Sequence, residues 1–222
     1  DIVSSDDGLN AAGGADQSGF GGRGPDRFSG SSDSSIAISG GTLRIDASGD
    51  GIDSNGTLTV SGGEIYVSGP TSDGDSAIDH DGSATVTGGT VIAAGYSGMA
   101  QNFGTDSTQG SILLTSRSTS TETIRVTDAS GSVLAEFAPT KAYSCVIVRT
   151  PALRQGGTYT VTMGGECTDV TLESLIYGAG GMGGGMGGQP GGGNMGTPPD
   201  GNGSNMGTPP DGNGGKGGRP GQ

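Results

Sequence analysis

Tryptophan is missing from the 222 residues, and aromatic residues as a group reach only 4%. Hydrophobic residues of all kinds amount to 29%, against roughly 45–50% for an ordinary globular domain. That shortage argues against a helix-packed enzyme built around a thick apolar core. No apolar run approaches the ~20 residues that a helix needs to cross a bilayer, so membrane insertion is not expected. Cysteine is limited to Cys145 and Cys167, which fit no CxxC metal or redox motif. A single histidine, His80, leaves no soft-ligand cluster for zinc. Positive charge is scarce too: 10 Lys and Arg face 23 Asp and Glu, for a net charge of -13. Nucleic acid and anionic membrane surfaces are therefore poor partners unless cations intervene. No secretory leader is legible, because Asp1 stands in mid-pattern; the chain reads as a mature fragment that begins inside a longer array.

Glycine is what the chain has in excess, with 50 residues, and its distribution divides the sequence. Residues 1–82 hold 14 acids against Arg23, Arg27 and Arg44, residues 83–177 are nearly balanced, and residues 178–222 are neutral overall. The acidity is thus local and calls for a local explanation. The last stretch carries 21 of the glycines and repeats Asn194-Met-Gly-Thr-Pro-Pro-Asp-Gly-Asn-Gly203 as Asn205-Met-Gly-Thr-Pro-Pro-Asp-Gly-Asn-Gly214. Such a segment cannot bury enough apolar surface to offset its ordering entropy, so 178–222 is expected to be a disordered Gly-rich tail.

An internal repeat organises the acidic part. Ile36-Ala-Ile-Ser-Gly-Gly-Thr-Leu-Arg-Ile45 matches Leu58-Thr-Val-Ser-Gly-Gly-Glu-Ile-Tyr-Val67 and again Ala84-Thr-Val-Thr-Gly-Gly-Thr-Val-Ile-Ala93. Each unit alternates apolar and polar residues with period two on both sides of Gly-Gly, then enters an acidic turn. Alignment stacks Ile38/Val60/Val86, Leu43/Ile65/Val91 and Ile45/Val67/Ala93. A third short element places Gly51-Ile52-Asp53 over Ala77-Ile78-Asp79, with a half-unit at Gly8-Leu9-Asn10. Two or three short strands per unit of about 22 residues suggest an all-β parallel β-helix, a solenoid in which each coil pairs with the next. The expected division is 1–102 for the coils, with a long loop at 14–35, and 103–177 for a C-terminal antiparallel β cap. Cap strands are expected at 111–115, 123–128, 133–137, 143–149, 158–163 and 170–175.

The turns carry oxygen ligands at matching positions. Asn10, Asp53 and Asp79 share one; Asn55 and Asp81 share another; Asp7 aligns with Asp50, and Asp75 sits one residue off that register. Coils stacked about 4.8 Å apart bring these carboxylates into mutual repulsion unless a cation lies between them. Six to eight hard oxygens suit calcium, although Asp, Asn and Gly are also ordinary residues of solvated turns. Neither the EF-hand nor the RTX pattern is present. Arg44 and Tyr66 point outward at equivalent positions of adjacent coils, where they can stack on a sugar ring and hold its carboxylate or simply pack on each other. His80 reads as a solvated turn residue.

The segments "SSDDGLNAAGG", "ISGGTLRIDASGDGIDSNGTLTVSGG" and "TVTGGTVIAAGYSGMAQ", followed by "ILLT…VLAEFAPTKAYSCVIVRTPAL…GTYTVTMGG", resemble the clostridial-type β-helix carbohydrate-binding proteins over roughly residues 4–177. The resemblance implies a right-handed parallel β-helix on the cell surface. It further implies calcium binding and recognition of acidic plant polysaccharide such as polygalacturonate, without catalysis. Asp50, Asp53, Asp75, Asp79 and Asp81 match the family's acidic turns best.

The leading expectation is an extracellular, monomeric, non-catalytic module in which calcium bridges protein and sugar carboxylates. A pectin-active lyase would need a base beside the cation, whereas Arg44 is the only basic side chain from residue 28 to 116. A hydrolase would need paired carboxylates, which the turns can offer. A structural stalk or adhesin is the third alternative. Cys145 and Cys167, 22 residues apart at the margins of the last cap strands, are expected to form a disulfide in a chain read as extracellular.

Overall fold

The structure, a computed structural model, describes residues 1–11 and 33–178. The expected loop at 14–35 falls almost wholly outside the described residues, and the expected disordered tail, 178–222, falls outside them after residue 178. The described residues contain no helix, and the fold is all-β.

The first two aligned repeats each become a long and a short strand, and the third a long strand alone. β1 (Ile2–Ser4) and β2 (Leu9–Ala11) come from the half-unit. β3 (Ser35–Ala47) and β4 (Ile52–Ser54) follow, then β5 (Thr57–Ser68) and β6 (Ile78–His80), then β7 (Ala84–Gly95). The short β1 and the long strands β3, β5 and β7 pair in parallel, and β2, β4 and β6 form a separate parallel three-stranded sheet. The columns are those of the alignment: Ile38↔Val60↔Val86, Leu43↔Ile65↔Val91 and Ile45↔Val67↔Ala93 in the large sheet, Ile52↔Ile78 in the small one. Their side chains build the first core, where Leu58, Val60, Ile65, Val67 and Val86 are fully buried.

The Gly-Gly pairs bend one continuous strand instead of separating two. Gly41, Gly63 and Gly89 have φ of 81°, 96° and 84°, and the pairing register shifts beside each. A side chain there meets two obstacles. The left-handed backbone disfavours any Cβ, and a Cβ on Gly63 would lie 2.9 Å from the Gly41 carbonyl oxygen, one on Gly89 2.6 Å from that of Gly63. Parallel stacking thus forces a glycine column.

The strands after residue 100 are β8 (Ser111–Ser120), β9 (Ile124–Asp128), β10 (Val133–Phe137), β11 (Tyr143–Arg149), β12 (Thr158–Met163), β13 (Glu166–Thr171) and β14 (Ile176–Tyr177). β11 lies antiparallel on the free edge of β7 and carries β8 and then β14, completing a mixed seven-stranded sheet. Hydrogen bonds therefore cross the boundary placed at 102/103. The order β10-β9-β12-β13 forms a four-stranded antiparallel sheet. It packs on the outward residues of β7 and β11, so that Ile92, Ala94, Val146 and Val148 join Ile124, Val126, Val161 and Val170 in a second core. The strand after β12 runs over 166–171 instead of 170–175. Gly164 and Gly165, both at positive φ, make a two-residue hairpin that starts it earlier. Arg149 is wholly buried: its guanidinium carbon lies 5.1 Å from the Phe103 ring centroid, and burial brings its pKa down to about 10.

The expected disulfide is not formed. Cys145 faces the first core from β11, and burial pushes its thiol up to about 12. Cys167 is exposed on β13 at the edge of the four-stranded sheet, with Sγ 3.5 Å from Thr162 Oγ1. Strand alternation aims one thiol into the interior of one sheet and the other to solvent from a second. A thiol reagent should modify Cys167 in the native chain and Cys145 only after unfolding; a reagent-silent native protein overturns this placement.

Gly63→Ala should lower stability by roughly 1–3 kcal/mol, on account of its positive φ. Gly40→Ala, where a Cβ meets nothing within 4 Å, should cost much less. Denaturant unfolding of the two variants checks the difference.

Candidate metal centre

The turns that join long to short strands stack in two neighbouring columns. In the first, the Asp7 Oδ1 accepts the backbone N–H of Asp50 at 2.8 Å, and the Asp50 Oδ1 accepts that of Ser76. Each carboxylate thus reaches across to the amide of the equivalent residue in the next unit. Backbone bonds run alongside, Gly8 N–H to Asp50 C=O at 2.8 Å and Gly51 N–H to Ser76 C=O at 3.0 Å. The column stops at Ser76, which has no carboxylate and turns its hydroxyl to the Ile78 carbonyl. The second column is Asn10↔Asp53↔Asp79, in register at the centres of β2, β4 and β6. Asn10 Nδ2 donates to Asp7 Oδ2 at 2.6 Å and ties the two columns together.

Carboxylate oxygens of Asp7, Asp50 and Asp53 come within 4.8 Å of one another, all three residues half-buried. Two ligands of one calcium ion, each at 2.3–2.6 Å, can be separated by about that much. Electrostatics fit the same reading. Burial pushes Asp50 up to about 8; the Ser76 amide opposes this, and the charges of Asp79, Asp7 and Asp53 add to it. Asp7 is raised as well, first by burial and then by Asp6 and Asp75, against the hydrogen bonds from Asn10 and Asp50. Without a counter-charge the group sheds negative charge by holding a proton. Three hard oxygens and no sulfur or nitrogen ligand suit calcium or another hard divalent cation.

Of the other residues expected in the shell, Asn10 joins the triad through its bond to Asp7, and none of the other acids belongs to it. Asp79 acts on Asp50 through its charge, but its Oδ1 accepts from the His80 N–H and from Gln101 Nε2. Asp75 accepts from the Ser72 hydroxyl. Asp81 is exposed, with its backbone N–H bonded to Ser54 C=O, and Asn55 pairs its N–H with Ala11 C=O. Asp53 and Asp79 are paired in register, and the triad joins Asp53 to Asp7 and Asp50. The aligned Asp7-Gly8 and Asp50-Gly51 dipeptides were the available signal. Gln101, which fixes Asp79 from outside the repeat, had none.

Arg44 and Tyr66 stack on each other, with the guanidinium carbon 4.6 Å from the ring centroid. Tyr66 also lies against Phe137 of β10, ring centroids 5.3 Å apart. Its ring is largely occupied by protein, which favours the packing role over a sugar platform; Arg44 is exposed. His80 is half-buried and not a solvated turn residue: Nδ1 donates to the Gly82 carbonyl at 2.8 Å.

Comparison with protein-family models, with curated proteins and with solved structures finds no match.

The raised Asp50 gives a signed pH dependence in chelator. Its unfolded pKa is near about 3.9, its folded one about 8. The folded state therefore binds the proton more tightly. The associated stability is complete below pH ~4 and is lost as pH rises through about 8. Denaturation midpoints in chelator should fall across that window, and Asp50→Asn should flatten the decline. A wild-type and variant pair with parallel profiles contradicts the assignment.

Proposed function

We propose that the chain is a non-catalytic, right-handed parallel β-helix module of the cell surface or extracellular space. It binds acidic polysaccharide of the polygalacturonate class through bridging calcium. The observation that carries this reading is the convergence of Asp7, Asp50 and Asp53 with a carboxyl group forced towards its neutral form. A cation at this triad restores all three charges, and coordination positions beyond the three protein oxygens are left for sugar carboxylates. That resolves how a chain of charge -13 holds an anionic polymer. The in-register parallel ladders β1-β3-β5-β7 and β2-β4-β6 support the β-helix. The sequence resemblance supports the glycan class. The described residues contain no helix long and apolar enough to cross a membrane. Neither the charge nor the sequence supplies a basic nucleic-acid surface, and the chain is taken as a monomer.

One observation favours a second reading. A protonated carboxyl beside two further acids is also the equipment of a glycoside hydrolase. A lyase has less support, since Arg44, the sole Lys or Arg between residues 33 and 116, has its guanidinium stacked on Tyr66, and the His80 Nδ1 is held by the Gly82 carbonyl.

Immobilised polygalacturonate should retain the protein in calcium and release it in chelator. Asp53→Asn should weaken both calcium affinity and retention by at least about tenfold, in line with the loss of a charged ligand. Asp200→Asn should change neither. Retention that ignores calcium, or an Asp53→Asn variant that binds like wild type, overturns the bridge. New reducing ends in the supernatant would transfer the case to the hydrolase.

A further inference from the structure

A cleft of about 530 Å³ lies where the third repeat meets the strands that follow it. Its walls come from three places. Asp73 belongs to the turn after β5, Tyr96 and Ser97 directly follow β7, and Arg117 stands in β8 among further hydroxyls, with Ser144 of β11 opposite. The β8 wall has an identifiable cause. Tyr143 pairs with Ser120 and Cys145 with Thr115, so Ser144 alone faces 116–119. The surplus residues leave the ladder as an extended bulge, a device that re-aims side chains.

The lining specifies a ligand class. Tyr96 is its only aromatic residue, and no aliphatic side chain contributes, which disfavours an apolar ligand. Five serine and threonine hydroxyls offer both donors and acceptors, the complement of a ring bearing several hydroxyl groups. Tyr96 supplies a face for the ring's C–H edge. Asp73 is oriented by its Oδ1, which accepts the Gly98 N–H at 3.0 Å; its second oxygen is left to accept from a ligand hydroxyl. Arg117 is exposed and takes part in neither ion pair among the described residues. A guanidinium placed in this way selects a carboxylate by its fork of donors. Its volume falls within the range of small-molecule sites.

We infer that the cleft between Asp73, Tyr96 and the Arg117 bulge of β8 is a metal-independent subsite for a sugar acid, a polyhydroxylated ring that bears a carboxylate. The polymer class rests on the polysaccharide reading above; the site itself does not depend on the cation triad.

Calorimetric titration of the whole chain in chelator, with digalacturonate and with the neutral galactose disaccharide, tests it. Digalacturonate should bind in the millimolar range or tighter, and the neutral sugar about tenfold more weakly, the usual worth of a charged hydrogen bond. Arg117→Ala should lose about tenfold for the acid and little for the neutral sugar, and Tyr96→Ala should weaken both. Arg154→Ala, an exposed arginine outside the cleft, should leave binding unchanged. The absence of digalacturonate binding, or wild-type affinity in both cleft variants with unchanged melting temperature, overturns the subsite. Calcium-dependent polymer retention is read separately. Its loss with digalacturonate binding intact removes the cation bridge alone, and the converse removes the cleft alone.

Discussion

Parallel pairing at zero offset governs this molecule, because it places each residue directly over its counterpart one unit away. Where the repeats carry the same residue type, it stacks into a column of like residues at about 4.8 Å. Aliphatic columns gain from that arrangement, since Leu43, Ile65 and Val91 present a continuous apolar surface. Where the backbone bends, the same rule admits only glycine, as at residues 41, 63 and 89. Where acids are stacked, repulsion and desolvation act together, and Asp50 shows the result. One geometric rule therefore produces the core, the bends and the acidic centre.

The repeats were legible in the sequence for the same reason. Equivalent environments select equivalent residues, so Ile38, Val60 and Val86 could be aligned without coordinates. The register of Asp53 with Asp79 was equally readable, but the convergence of Asp7, Asp50 and Asp53 was not. Which carboxylates converge depends on side-chain direction across two columns, and Gln101 draws on Asp79 from a segment outside the repeat. The cysteines failed as a pair because sequence distance says nothing about sheet membership. Cys145 and Cys167 alternate into different environments on different sheets. The β8 bulge had no sequence signature, since it is defined by its partner strand.

The four-stranded sheet explains an oddity of the repeats, the change in character of their outward residues. On β7 the outward positions are Ile92 and Ala94, both buried, whereas β3 shows the exposed Arg44 in the same column as Tyr66 and Ile92. Along that column polarity falls as the second core approaches. Tyr66 sits at the margin, its ring between the Arg44 cation and the Phe137 ring that belongs to the added sheet. β11, buried on both faces, links the two cores and therefore reads as an unbroken apolar run apart from its ends.

The ladder from Asp7 to Asp50 to Ser76 has a direction, since each carboxylate reaches forward to an amide and none reaches back. It behaves like a polymer with a growing end and a terminator. An aspartate continues it by supplying the next acceptor, while Ser76, its hydroxyl folded onto its own turn, closes it. Duplication of a unit that carries aspartate at this step would lengthen the ladder and add a further acidic cluster. Duplication of one that carries serine would lengthen the scaffold alone. A single codon at one recurring position thus separates growth in length alone from growth that also extends the acidic column.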